Sequence, residues 1–274
     1  MPTILDNKNP SSPSVFRPAA LLRQARRQKA LPTVDVPAVC ILDPDGDIVR
    51  RLRKEGRSRP FDGWPCYHTQ LDAFELAGRT AGIVGCVVGA PFAVLIAEEM
   101  FASGCRFLIS LTSAGQIVAA GPTPYFVIID RTLRDEGTSY HYAAPTEYAE
   151  ADPQLVRTAA DALRNKGLQA IVGPTWTTDA PFRETDDAIE AAKRRGILAV
   201  EMEAAALYAF AAANKRRVLC LAHVTNAMGR VDEDFEKGEA DGTAEALAVF
   251  EAIVEASGPR PRASGASDPP VTTI

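Results

Sequence analysis

Two carboxylates, Glu201 and Glu203, flank Met202 at the head of "AVEMEAAALYAFAA" (199–212), a stretch otherwise made of Ala, Val, Leu, Tyr and Phe. An acidic residue in a helix's first turn complements the macrodipole by a few tenths to ~1 kcal/mol, which accounts for one Glu on a wet surface. It does not account for a pair that emerges from "ILAV" (197–200) into a helix apolar on every side, because such a helix is buried all round. Carboxylates buried there need partners.

Four other segments carry groups able to do chemistry. "ILDPDGDIVRR" (41–51) ends an apolar run in Asp43, Asp45 and Asp47. An apolar run leading into Asp-x-Asp-Gly is the arrangement of a haloacid-dehalogenase-type phosphatase, with Asp43 as nucleophile, Asp45 as acid and magnesium to neutralise the phosphate. Asp47 stands where that pattern has Thr, and a turn closing a strand explains the residues equally well. "VVGAPFAVLIAEEMFASG" (87–104) reads as strand, turn and helix, with Gly89 allowing close backbone approach and Pro91 suited to a first helical turn. "FLISLTSAGQI" (107–117) is a strand ending in Thr112, Ser113, Ala114 and Gly115, hydroxyls and bare amides that can hold an anion or a sugar. "RDEGTSYHY" (134–142) and "TWTTDAPFRET" (175–185) add Tyr142, His141, Asp179 and Arg183. Thr178 or Asp179 is the expected N-cap of the helix that follows.

The elements that must position these groups are legible in outline. The chain has 274 residues, 46% hydrophobic and 24% charged, enough for one large core. Apolar runs at 37–42, 81–88, 105–111, 125–130, 168–173, 197–200 and 218–225 alternate with helical periods at 91–103, 152–166, 184–195, 201–213 and 241–256. That alternation predicts an α/β fold, a three-layer αβα sandwich whose twisted central sheet is mostly parallel, with the site at the strands' carboxyl ends. Residues 1–35 form an N-terminal extension holding a basic amphipathic helix, residues 36–256 the main domain, and 257–274 a disordered Pro/Ser/Gly-rich tail. A net charge of −5 argues against nucleic-acid or anionic-membrane partners. The five widely spaced cysteines read as buried thiols of a reducing, cytoplasmic compartment, and no run is long enough for a membrane span.

Taken in order, "GAPFAVLIAEEM…GCRFLISLTSAG", "DEGTSYHY", "TWTTDAPFRET" and "LAVEMEAAALYA" resemble the nucleoside phosphorylase superfamily, close to its uridine phosphorylase branch. The resemblance implies a phosphorylase/hydrolase-like fold and cleavage of a nucleoside's N-ribosidic bond. It implies that Glu203 accepts hydrogen bonds from the sugar 2′- and 3′-hydroxyls, with Glu201 and Met202 in the same ribose-gripping turn, and Thr112, Ser113, Gly115 and Tyr142 as substrate contacts. A fixed carboxylate suits this chemistry, because breaking the bond develops positive charge on the sugar. Asn226, in "LAHVTNAMG", stands where purine-cleaving relatives carry an acidic proton donor. An amide cannot protonate a purine, so the reading leans towards a pyrimidine or unusual base, with Arg183 the expected contact to a base carbonyl.

The phosphate-binding pattern of the superfamily is altered. Leu42 and Gly46 replace the Gly and Arg of its first turn, the strand Arg falls at Ile109 or Ser110, and His68 stands near the Arg donated by a neighbouring subunit. Missing guanidinium partners remove charge-assisted bonds worth ~1.5–3 kcal/mol each. The expectation is therefore hydrolysis, with Asp47 activating water and Asp43 and Asp45 as competitors. A phosphorylase whose phosphate site is rebuilt from Arg50, Arg51 or Arg106 is the alternative, and a nucleoside binder without turnover is another. The resemblance implies no cofactor or metal, and a homo-oligomer (a dimer or a trimer of dimers) in which Arg17 lies near the place of an N-terminal His that reaches a neighbour's ribose site.

Overall fold

The computed structural model describes residues 3–227 and 242–257; the tail expected from 257 onwards lies, apart from its first residue, outside them. Two blocks of parallel strands form the centre. The first holds β4 (Arg79–Gly85), β1 (Val39–Asp43), β5 (Phe107–Gln116) and β10 (Val218–Ala227), hydrogen-bonded in that order. The second holds β6 (Tyr125–Asp135), β8 (Ala170–Thr178) and β9 (Ala199–Glu201). β10 joins β6 and β5 joins β9, both antiparallel, so the blocks close on each other like a barrel. The sheet is thus mixed: parallel within each block, antiparallel at the joins and at the edges. The antiparallel edges are β2 (Ser58–Pro60), β3 (Asp72–Leu76) and β7 (Tyr148–Glu150).

Helices cover the sheet in two packed groups. α1 (Pro18–Lys29) lies on α3 (Ala90–Ala102), which packs on α6 (Ala204–Asn214). α2 (Asp47–Lys54) meets α7 (Thr243–Ser257), which packs on α4 (Pro153–Asn165). α5 (Asp186–Arg194) shields a smaller apolar cluster around Trp176, Ile189 and Ile197. α6 is buried as its composition requires: every residue from Ala204 to Ala211 is buried, and Tyr208 spends its hydroxyl inside, donating to Ile129 O at 2.7 Å and accepting from Cys220 N at 3.0 Å. Tyr208→Phe leaves two buried backbone groups short of a partner and is expected to cost about 1–3 kcal/mol, checked by denaturant unfolding; an unchanged midpoint overturns this.

Some elements escaped the sequence reading. The β3–β4 hairpin turns on Ala77 (φ 51°) and Gly78 (φ 69°), the pair of left-handed residues a two-residue hairpin favours. α2 was hidden inside the Asp/Gly turn. The cap of α5 is Thr185, which accepts from Ala188 N, rather than Thr178 or Asp179; Thr178 instead accepts from Ala180 N and Asp179 from Gly137 N. All five thiols are unpaired, but Cys86 is exposed, contrary to expectation, because it sits in a left-handed turn (φ 61°) beyond the end of β4. Residues of the N-terminal extension touch the main domain: Lys8 Nζ lies 3.0 Å from His141 Nε2.

Candidate active site

The ends of β1, β5 and β10, the turn into α3 and the start of α6 bring the candidate groups together. The β8–β9 pairing sets Thr177 opposite Glu201, and the β6–β8 pairing sets Thr132 opposite Thr175. Three hydroxyls therefore surround Glu201 Oε1: Thr132 at 3.3 Å, Thr175 at 3.2 Å and Thr177 closer still. Its other oxygen accepts from Glu203 N and Ala204 N, both at 2.7 Å, tying off the free amides at the head of α6.

Glu203 does the same for a different helix. Its Oε1 accepts from Gly89 N at 2.6 Å, and Gly89 is the residue that caps α3, with φ 92°, a conformation that favours glycine. Met202 N donates to Oε2 at 3.3 Å, and the Thr112 side chain hydrogen-bonds the same carboxyl. Both glutamates are almost wholly buried. Burial, and then the neighbouring Glu201, push Glu203 up to about 8, and burial likewise raises Glu201. Two carboxyls sharing a dry site resist carrying two charges at once.

The three aspartates of the first turn diverge. Asp43 is buried and accepts from Gly46 N and Val49 N, so it organises the turn and the head of α2; burial raises it to about 7. Asp47 pairs with Arg50 one turn along α2. Asp45 crosses to β5, where its two oxygens accept from Ser113 N at 3.1 Å and Ser113 Oγ at 3.0 Å. Of the three arginines expected as phosphate ligands, Arg50 is at this turn, donating to Asp45 O at 3.0 Å. Arg51 instead bonds Glu55 and Thr243. Arg106 precedes the first residue of β5, about 20 Å from Thr112 at ~3.3 Å per residue. Ile109 and Ser110 are buried in mid-strand.

Other expected residues are spread more widely. Asn226 lies opposite Gly115 where β10 meets β5, beyond an irregularity at Thr225. Tyr142 donates to Glu98 Oε1 at 2.6 Å and meets Phe210 edge-on, two turns along α3 and α6 from the glutamates. His68 is exposed, its backbone N–H on Cys66 Sγ and its ring in the field of Glu99, about 15 Å along α3 from Gly89 at ~1.5 Å per residue. Arg183 closes an exposed short turn, Pro181–Arg183, beside Phe182. Arg17 is exposed just before α1. Gly89 N and the three threonines were missed as partners of the glutamates. Threonine is an ordinary strand residue, and only the strand register makes these three converge.

The model of the family described as "Phosphorylase superfamily" matches residues 38–256. The chain is 30% identical over 156 residues to a DeoD-type purine nucleoside phosphorylase of Roseobacter denitrificans, covering 54% of this chain and 64% of that one. It is 27% identical over 180 residues to one from Yersinia enterocolitica, covering 65% and 72%. The chain thus spans somewhat less than two thirds of the Roseobacter relative's length. A uridine phosphorylase from Vibrio fischeri shares the fold, with a TM-score of 0.68, 22% identity and coverage of 81% and 94%. With a family match across most of its length and the same closed, mixed sheet flanked by helices, the chain belongs to the phosphorylase superfamily.

Proposed function

We propose that this protein cleaves the N-ribosidic bond of a nucleoside and that water, rather than phosphate, is the acceptor. The observation that carries the second half is the clamp of Asp45 on Ser113. The amide and hydroxyl at the end of β5 could serve an incoming anion, but a carboxylate of the chain itself already occupies them. A phosphate dianion there meets a like charge.

In this reading Glu203 holds the sugar hydroxyls with Met202 and Thr112 beside it, and its charge steadies the developing oxocarbenium ion. Asp45 is the carboxylate of the first turn that reaches the end of β5, and it takes a proton from water as the oxygen attacks the anomeric carbon. The carbon–nitrogen bond breaks, its electron pair leaves with the base, and a solvent proton completes free base and free ribose. Asn226 can orient the leaving base but supplies no proton, which suits a pyrimidine or a base that is a good leaving group. Gly115 borders the base, Arg183 would reach it only from the exposed Pro181–Arg183 turn, and no cofactor is needed.

Phosphorolysis is the second reading, favoured by Arg50 at the same turn. A homo-oligomer is proposed with either: Val88 just before α3, Leu95 within it and Tyr67 beside His68 are exposed large side chains that a neighbouring copy would cover. The test is chromatography of base and sugar products from pyrimidine and purine nucleosides, with phosphate rigorously absent or added. Free ribose at equal rates in both conditions is expected. Ribose 1-phosphate formed only with phosphate overturns the hydrolytic reading, and no cleavage of any nucleoside overturns both.

A further inference from the structure

Glu201 and Glu203 stand two residues apart, yet only one can hold a ligand. An ionised carboxylate offers about four lone-pair sites. Five donor groups surround Glu201, the hydroxyls of Thr132, Thr175 and Thr177 and the amides of Glu203 and Ala204; Thr132 and Thr177 also bond each other, so four donate at once and fill it, and it is 3% exposed. Nothing is left for a sugar hydroxyl. Glu203 meets three donors, Gly89 N at 2.6 Å, Met202 N at a long 3.3 Å and the Thr112 side chain, which leaves it accepting capacity that Glu201 lacks. We infer that Glu201 is a positioning residue, not a ribose ligand: locked by the three threonines, it fixes the backbone of Glu203 and sets how readily that carboxyl ionises. This rests on the function proposed above only in naming a nucleoside as the probe.

The threonine cage explains how a second carboxyl is tolerated in a dry site. Three hydroxyls and two amides around Glu201 favour its charged form, whereas Glu203 holds its proton to higher pH and must lose it before its charge can act on the sugar. Gly89 N–H, Thr112 and Met202 N–H oppose this at Glu203. Among the described residues, Tyr208 of α6 and Cys220 of β10 are the other titratable groups in the field of the pair. Burial drives both well above their ordinary values, so both stay neutral and leave Glu201 as the charge facing Glu203.

Glutamine at position 201 can keep this frame: its carbonyl accepts the two amides, its NH2 donates to threonine oxygens, and the charge is gone. The experiment uses the full chain with Glu201→Gln and Glu201→Ala, with Glu203→Gln identifying the Glu203 carboxylic band in infrared spectra. Titration of that band without substrate, and kcat/KM against pH for a cleaved nucleoside, are the two readouts. Glu201→Gln is expected to lower the Glu203 midpoint by about one pH unit and move the acidic limb of kcat/KM with it, while regaining most of the ~100-fold lost in Glu201→Ala through misplacement. An unmoved midpoint in Glu201→Gln overturns the inference. So does a selective loss of preference for ribo- over 2′- or 3′-deoxynucleosides, which marks a direct sugar contact. The infrared titration needs no turnover, so a protein that cleaves no nucleoside refutes the proposed activity and leaves this reading to be decided by the band alone.

Discussion

Glu203→Ala is expected to lower kcat/KM for nucleoside cleavage by about 1,000-fold or more, the scale set by removing a preorganised electrostatic partner of the transition state. Among the described residues at the heads of α3 and α6, Glu203 is the carboxylate whose donors, Gly89 N, Met202 N and Thr112, leave accepting capacity for the sugar, and Glu201 beside it is filled. Folding should survive. The variant leaves Gly89 N–H without its acceptor, at about 1–3 kcal/mol, but it also removes a carboxyl that burial makes costly to ionise. The sign of that cost can be checked separately. Glu203 titrates higher in the folded chain than its ordinary 4.5, so its contribution is fully present below the ordinary value and is lost as pH rises towards the folded one, about 8. Glu203→Gln cannot ionise and should lose less stability than the wild-type chain across that window, measured by denaturant unfolding at its two ends. Turnover of Glu203→Ala within tenfold of wild type sinks the ribose assignment.

Asp45→Asn is expected to cut phosphate-independent cleavage by about 100- to 10,000-fold, the range of a lost general base, with KM nearly unchanged because Asp45 does not grip the sugar. Asparagine retains an acceptor for Ser113, so the β1 turn should hold its shape. Asp47→Asn is the control. Asp47 is engaged with Arg50 on α2, and its loss should matter much less. The reverse order of effects transfers the role to Asp47. A rate that falls in neither variant removes the first turn from the mechanism. A gain of phosphate-dependent product in Asp45→Ala marks the Ser113 donors as a latent anion site.

Much of the scaffold was legible because its signals are local. The apolar runs of β1, β5, β6 and β10 and the all-apolar α6 declare burial without reference to anything distant. The edge strands β2, β3 and β7 are short and half-polar, and their pairing rather than their composition defines them. The mixed character of the sheet was illegible for a related reason: β9 is only Ala199–Glu201, and whether it joins a parallel or an antiparallel neighbour depends on strands far away in the chain. Tyr142 shows the limit of motif reading. Its segment adjoins others that converge on the site, yet its side chain points to Glu98 and Phe210.

The sequence by itself determined that two carboxylates would be buried at the head of an apolar helix, since no solvated face exists there to take them. It also determined that an acidic turn follows the first strand where the resemblance calls for a phosphate-binding Arg. Only the tertiary structure decided which groups each carboxylate faces. Glu201 faces Thr132, Thr175 and Thr177, brought together by strand register, and Glu203 faces an amide 114 positions away. Asp45, not Asp43 or Asp47, crosses to Ser113. The number of donors around a carboxylate fixes whether it is filled or free to bind, and those donors come from strands that only folding makes neighbours.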